Sequence, residues 1–282
     1  MQTNSGLKFG IYGVHRGRGA DPDVLIRRAQ LAEAAGFESL WVGDHLALPA
    51  HDGGDLPRLE VIVALSHLAA LTSRIRLGIG VLVLPQRQPV LLAKQLTSLD
   101  LLSRGRLDVG IGVGYVEPEL HALGATLADR GARTDEYLEV MRTLWTEEIA
   151  SFAGRYVSFD ELSQFPLPVQ RPHPPIVVGG HSKAALRRAL RSANGWYGVY
   201  LDVPETAELL ATLRTLEATT PRPPALGPLE ITITPPAGLH ATRAKEYADL
   251  GVHRLILQPT TDDSADIEEV IETAATHLIG TL

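Results

Sequence analysis

Three short stretches carry residues able to do chemistry. In Leu40-Trp41-Val42-Gly43-Asp44-His45 a carboxylate and an imidazole follow directly on an apolar run. Such a pair can hold or move a proton near neutral pH, where imidazole titrates. It can equally be a loop cap beside a packed ring. From Leu107 to Tyr115, Gly110, Gly112 and Gly114 alternate with apolar residues, so one face carries almost no side chain and something must lie close against it. The occupant is either a flat ring system or a set of bulky neighbours. Gly78-Ile79-Gly80 is a shorter version. The third stretch, Gly179-Gly180-His181-Ser182, runs from an apolar segment into a helix capped by Ser182. Backbone N–H groups at a glycine-rich helix start bind phosphate, although a plain tight turn would account for Ser182 equally well.

The elements that must position these stretches recur along the chain. Apolar runs too uniform to have one wet face span Leu7 to Gly13, Ser39 to Gly43, Ile75 to Leu84, Leu107 to Val113, Ile176 to Gly179, Gly195 to Tyr200, Leu229 to Thr234 and Arg254 to Leu257. They read as buried parallel strands. Helical segments lie between them. Asp21 and Pro22 open the first and Gly36 ends it, while Pro89 opens the third and Gly105 closes it. Strands alternating with helices over 282 residues predict an α/β fold, a (β/α)8 TIM barrel, as a single domain over residues 1–282. After the fourth strand and its helix (Arg133 to Thr146), the segment 147–175 is surplus to a barrel. It contains a possible hairpin at Ala153-Gly154 and a proline-rich stretch, and reads either as an inert loop or as a lid over the site.

Composition narrows the function. With 26 Lys plus Arg against 33 Asp plus Glu the net charge is −7, the pI is about 5.8, and no block of basic residues stands out, so neither nucleic acid nor a membrane surface is an expected partner. The absence of Cys excludes disulfides, thiolate metal sites and Cys nucleophiles. No apolar stretch approaches the roughly 18 residues of a membrane span, and the polar start at Met1 to Gly6 does not read as a signal peptide, so a cytoplasmic protein is expected. No GxGxxG follows a strand, and the P-loop, HExxH and GxSxG signatures are missing. Asp44, His45, His51, Asp52 and Asp55 form a cluster, but no second ligand-rich strand end accompanies it and no metal is expected.

Four segments, Gly36 to Leu46 (GFESLWVGDHL), Arg74 to Tyr115, Arg130 to Trp145 and Pro174 to Tyr197, resemble the luciferase-like monooxygenase superfamily over nearly the whole chain. Within it the chain is most similar to the coenzyme F420-dependent oxidoreductases, with the FMN-dependent monooxygenases as the close rival. The resemblance implies a (β/α)8 barrel with an insertion, usually homodimeric. It implies that His45, held by Asp44, moves a proton beside the cofactor ring. It further implies that Gly80 and Val81 form a bulge with a non-prolyl cis peptide behind that ring. Gly179-Gly180, with His181 and Ser182, corresponds to the phosphate turn, and Gly112 and Gly114 belong to the strand beneath the ring. Tyr115 replaces the Glu that sugar-phosphate-oxidising deazaflavin dehydrogenases carry, and Pro49 replaces their Trp, so that activity is not expected. Tyr115 then serves as an aromatic wall or a proton donor. The expected function is F420-dependent hydride transfer to or from a small organic substrate, with a reduced-FMN monooxygenase or a non-catalytic flavin-binding barrel as alternatives.

Overall fold

The computed structural model describes residues 6–259 and 266–281. In chain order its elements are β1 (Lys8–Tyr12), α1 (Pro22–Ala34), β2 (Ser39–Val42), α2 (Val61–Leu71), β3 (Arg76–Val83), α3 (Pro89–Leu102), β4 (Leu107–Gly112), α4 (Glu117–Ala122), α5 (Arg130–Thr146), β5 (Ala150–Ala153), β6 (Ser158–Leu162), β7 (Ile176–Gly179), α6 (Lys183–Ser192), β8 (Gly195–Val199), α7 (Val203–Glu217), β9 (Glu230–Thr234), α8 (Ala241–Asp249), β10 (Arg254–Leu257) and α9 (Ile267–His277). Eight parallel strands close into a barrel in the order β1-β10-β9-β8-β7-β4-β3-β2, while β5 and β6 form a separate hairpin. All eight apolar runs become barrel strands, as their two-sided burial requires.

Local signals set the helix ends. The Asp21 carboxylate accepts from the N–H groups of Asp23 (2.9 Å) and Val24 (3.1 Å), and Pro22 supplies the first helical position of α1. Gly36, at φ +87°, then takes the chain out of the helix in the left-handed region. Helix α5 begins at Arg130, a turn before the expected Arg133. Asp129 accepts from the Thr126 hydroxyl (2.8 Å) and pairs with Arg133 (2.6 Å), so the acidic residue anchors that extra turn.

The barrel interior is filled in levels. At the N-terminal strand ends lies a ring of charge: Arg254 pairs with Glu38 (2.9 Å) and Glu230 (2.5 Å), Arg76 with Asp108 (2.6 Å) and Lys8 with Glu230 (3.2 Å). Above it Trp41, Val177, Tyr197 and Ile256 form a buried cluster, with the Arg254 guanidinium 5.6 Å from the Trp41 ring centre. Trp41 donates to the Ser39 hydroxyl (2.8 Å) and lies where a side chain at Gly78 would stand, a Cβ there falling 2.3 Å from its indole.

Strand β3 carries a register shift against β4 between Ile79 and Leu82, and its Gly80–Val81 peptide is cis. The bulge pushes Val81 across the glycine face of β4. A Cβ on Gly112 would stand 2.6 Å from a Val81 methyl, and one on Gly110 would stand 1.9 Å from the Ile79 carbonyl oxygen. A neighbouring side chain and a carbonyl therefore occupy the face that the alternating glycines leave bare.

The inserted segment is not a lid. It follows a helix, so it emerges where the next strand starts, at the N-terminal end of the barrel, away from the face on which barrel enzymes work. The β5–β6 hairpin lies along the outside of α5, where the Glu136 carboxylate accepts from the N–H groups of Arg155, Tyr156 and Val157 at 2.7 to 2.8 Å. Gln164 donates to the Val90 carbonyl (3.1 Å) on α3, and the N–H groups of Val169 and Gln170 reach the Asp100 carboxylate (2.7 and 3.0 Å). Among the described residues, no helix is long and apolar enough to cross a membrane.

Candidate active site

A cavity of about 520 Å³ opens at the C-terminal ends of the strands, within the range of small-molecule sites. Its walls include Tyr12 and Tyr197 from the strands, His15, Arg16 and Arg58 from the β1–α1 and β2–α2 loops, and Asp44, His45, Gly80, Val81, Gly114, Tyr115 and His181 among the residues singled out in the sequence. Gly112, Gly179, Gly180 and Ser182 lie outside the lining.

His45 is not held by Asp44. The Asp44 carboxylate accepts from Arg87 through Nη2 (2.6 Å) and Nε (3.2 Å) and from the Val83 N–H (3.0 Å), fastening the end of β2 to the end of β3. The His45 partner is Glu119 of α4, with Nδ1 3.0 Å from Oε2. The other Glu119 oxygen accepts from the N–H groups of Leu46 (2.6 Å) and Ala47 (3.1 Å). Adjacent side chains on an extended backbone point apart, so Asp44 and His45 turn to different neighbours. An ionised carboxylate only accepts, which makes Nδ1 the protonated nitrogen and leaves Nε2 to take or give a proton.

Glu119 is 2 % exposed. Burial opposes its charge, but the His45 bond and the Ala47 N–H outweigh it and hold the carboxyl at about 2. A folded-state value below the unfolded one means that the group stabilises the fold above its ordinary range, and that this contribution fades as pH falls from about 4.5 to about 2. Glu119→Gln is therefore expected to flatten the pH dependence of thermal unfolding in that window. A profile identical to the parent's would remove the assigned ionic role.

Aromatic rings make up much of the remaining wall. Tyr115 is 75 % exposed and meets His45 edge-on, with ring centres 5.9 Å apart. Tyr197 shares a 2.6 Å hydrogen bond with the Thr234 hydroxyl. Burial lowers the His15 pKa to about 4, so this imidazole is neutral near pH 7. Its Nε2 lies 3.0 Å from the Gly43 carbonyl, while its buried Nδ1 has no hydrogen-bond partner among the described residues.

In the Gly179-Gly180 turn both glycines have local structural reasons. A Cβ at Gly179 would stand 2.8 Å from Val81, and Gly180 sits at φ +117°. The Gly180 N–H donates to the Tyr197 carbonyl (3.3 Å), Ser182 caps α6 by accepting from Ala185 (3.2 Å), and His181 Nε2 accepts from the Val199 N–H (3.1 Å).

Residues 8–277 match the model of the family described as luciferase-like monooxygenase. The chain belongs to that family. It is accordingly an oxidoreductase of the flavin- and deazaflavin-using kind. An uncharacterized protein of Mycobacterium tuberculosis is 31 % identical over 289 residues, spanning 96 % of this chain and 99 % of its own. The FMNH2-dependent dimethylsulfone monooxygenase of Pseudomonas putida is 33 % identical over 180 residues, 63 % of this chain and 48 % of its own. Among solved structures, an F420-dependent secondary alcohol dehydrogenase in complex with an F420-acetone adduct shares the fold, with a TM-score of 0.77 at 15 % identity over 95 % of this chain and 97 % of that one.

Several of the site's residues escape a reading of the sequence, Tyr12, His15, Arg16 and Tyr197 among them. Glu119 in a short first turn looks like an ordinary exposed helix-end acid, and its partner lies 74 positions away. Arg87 and Arg58 sit in loops, with no periodicity to single them out.

Proposed function

We propose that the chain is an F420-dependent oxidoreductase that moves hydride between a deazaflavin and a small organic substrate. The observation that carries this reading is the His45–Glu119 pair in the wall of a deep cavity, because interconverting an alcohol and a carbonyl moves a proton along with the hydride. Glu119 fixes the imidazole and neutralises its charge when Nε2 is protonated. Tyr115 shields the same ring from one side. Bound there, the deazaflavin would supply the carbon that gives or takes the hydride.

The walls suit such a ring. Gly80 and Val81 present a backbone bulge with little side chain, and Tyr197 and Val199 line the same space. With the Gly180 N–H already engaged, the phosphate would be held by the N–H groups of His181 to Lys183 at the start of α6.

A reduced-FMN monooxygenase is the second reading, supported by the 33 % identity to the dimethylsulfone monooxygenase. Titrating the purified protein with F420 and with FMN, each followed by its fluorescence, separates them. Saturable F420 binding at least tenfold tighter than FMN is expected. Preferential FMN binding would overturn the F420 assignment.

A further inference from the structure

Strand β1 ends at Tyr12, whose phenol lines the cavity. The ring packs on the buried cluster of Trp41, Val177, Tyr197 and Ile256. Its hydroxyl lies over Gly43, where a Cβ would stand 2.0 Å from the phenolic oxygen. The bare glycine is the space that the hydroxyl fills. The ring edge also faces the β3 bulge, since a Cβ on Gly80 would stand 3.7 Å from Tyr12 Cε2. The phenol therefore sits where the ends of β1, β2 and β3 meet.

A phenol packed in this way ordinarily finds a hydrogen-bond partner. Tyr197 has the Thr234 hydroxyl (2.6 Å), and Tyr247, outside the cavity lining, has the Leu201 carbonyl (2.7 Å). The Tyr12 hydroxyl has none among the described residues, and it is not sealed off from the cavity. Burial pushes its pKa above the ordinary phenol value in spite of the Arg16 and Arg58 charges, so the oxygen keeps its proton at neutral pH. It is a donor that a ligand oxygen in the cavity would satisfy.

The location indicates which oxygen. Gly43 stands two residues before His45, and Tyr12 and His45 line one cavity. A carbonyl oxygen has two lone pairs, enough for the Tyr12 O–H and a protonated His45 Nε2 together. We propose that Tyr12 donates a hydrogen bond to the oxygen on the reacting carbon of the substrate, which is then a carbonyl compound or the matching alcohol. This deepens the oxidoreductase reading and rests on it. In the reducing direction, hydride from the reduced deazaflavin forms the new C–H bond, the C=O π pair moves to oxygen, and that oxygen takes the proton of His45 Nε2. Tyr12 keeps its own proton and stabilises the charge that builds on the oxygen. Oxidation of the alcohol runs the same steps backwards. Tyr115, Val199 and Tyr200 suit an apolar body attached to the carbonyl.

Acetophenone is the probe, with α-methylstyrene as the counterpart of like shape that has no oxygen. Each is titrated by calorimetry into the full-length protein, saturated with whichever of F420 and FMN it binds, or alone if it binds neither. Acetophenone is expected to bind about fivefold or more tightly, the worth of one net hydrogen bond. Tyr12→Phe should erase that preference while melting temperature and cofactor affinity stay unchanged, because no hydrogen bond within the protein is lost. The carbonyl stretch of bound acetophenone, read by infrared difference, should lie lower in the parent than in Tyr12→Phe. Equal binding of the two probes to the parent, binding of neither, or a preference or stretch that survives Tyr12→Phe would overturn the proposal. Weakened cofactor binding in Tyr12→Phe with the acetophenone preference intact would assign the hydroxyl to the cofactor and overturn it as well. Failure of both cofactors to bind the parent would strike the oxidoreductase reading, while the probe comparison would still decide what the Tyr12 hydroxyl holds.

Discussion

His45→Ala is expected to lower turnover by a factor of about 10² to 10⁴, the usual contribution of a positioned acid or base, while cofactor affinity stays within about twofold of the parent. The reasoning is geometric. His45 reaches the cavity with one nitrogen bound to Glu119, so removing the ring removes a nitrogen placed to exchange a proton through a fixed carboxylate partner. The other cavity histidines have different duties: His15 is buried and neutral against Gly43, and His181 accepts from Val199. The measurements are steady-state turnover at saturating substrate and a fluorescence titration of the cofactor. A variant that turns over like the parent would remove the proton-transfer role. A variant that loses cofactor affinity in proportion to turnover would make His45 a binding residue instead.

The second large effect belongs to strand β4. Gly110→Ala places a Cβ 1.9 Å from the Ile79 carbonyl oxygen, a backbone atom held in the sheet, and no rotamer relieves that clash. A loss of about 3 kcal/mol or more is expected, at or beyond the upper end of core overpacking, read as a lower urea midpoint at constant slope. Gly112→Ala is the instructive contrast. Its Cβ would meet a Val81 methyl at 2.6 Å, so truncating that side chain in a Gly112→Ala, Val81→Ala double variant should recover much of the stability, whereas Val81→Ala should do little for Gly110→Ala. A Gly110→Ala protein as stable as the parent would mean that strands β3 and β4 can part far more easily than their packing indicates.

Much of the architecture was legible because barrel strands carry their burial on their face. Runs such as Ile176 to Gly179 are apolar on both sides, a pattern that few other environments demand. The Asp21-Pro22 start and the hairpin beside Gly154 were legible for a similar reason, since cap and turn chemistry is local. The insertion's location was not, although chain order contains it: a segment after a helix and before a strand belongs to the N-terminal end of a barrel. The glycines of β4 announced a close approach, made by the Ile79 carbonyl at Gly110 and by Val81 at Gly112, where the neighbouring strand bulges. The partners of the Asp44-His45 pair were the least legible part. Adjacent in sequence, the two side chains find Arg87 and Glu119, 43 and 74 positions away, and nothing local encodes such pairings.

Trp41 and Tyr197, both almost wholly buried and backed by the Arg254 ring of charge, make the barrel a cup rather than a tube. Among the described residues its opening lies at the C-terminal ends of the strands, so a molecule seated against the floor leaves by way of the rim. One wedged at the rim would obstruct that exit.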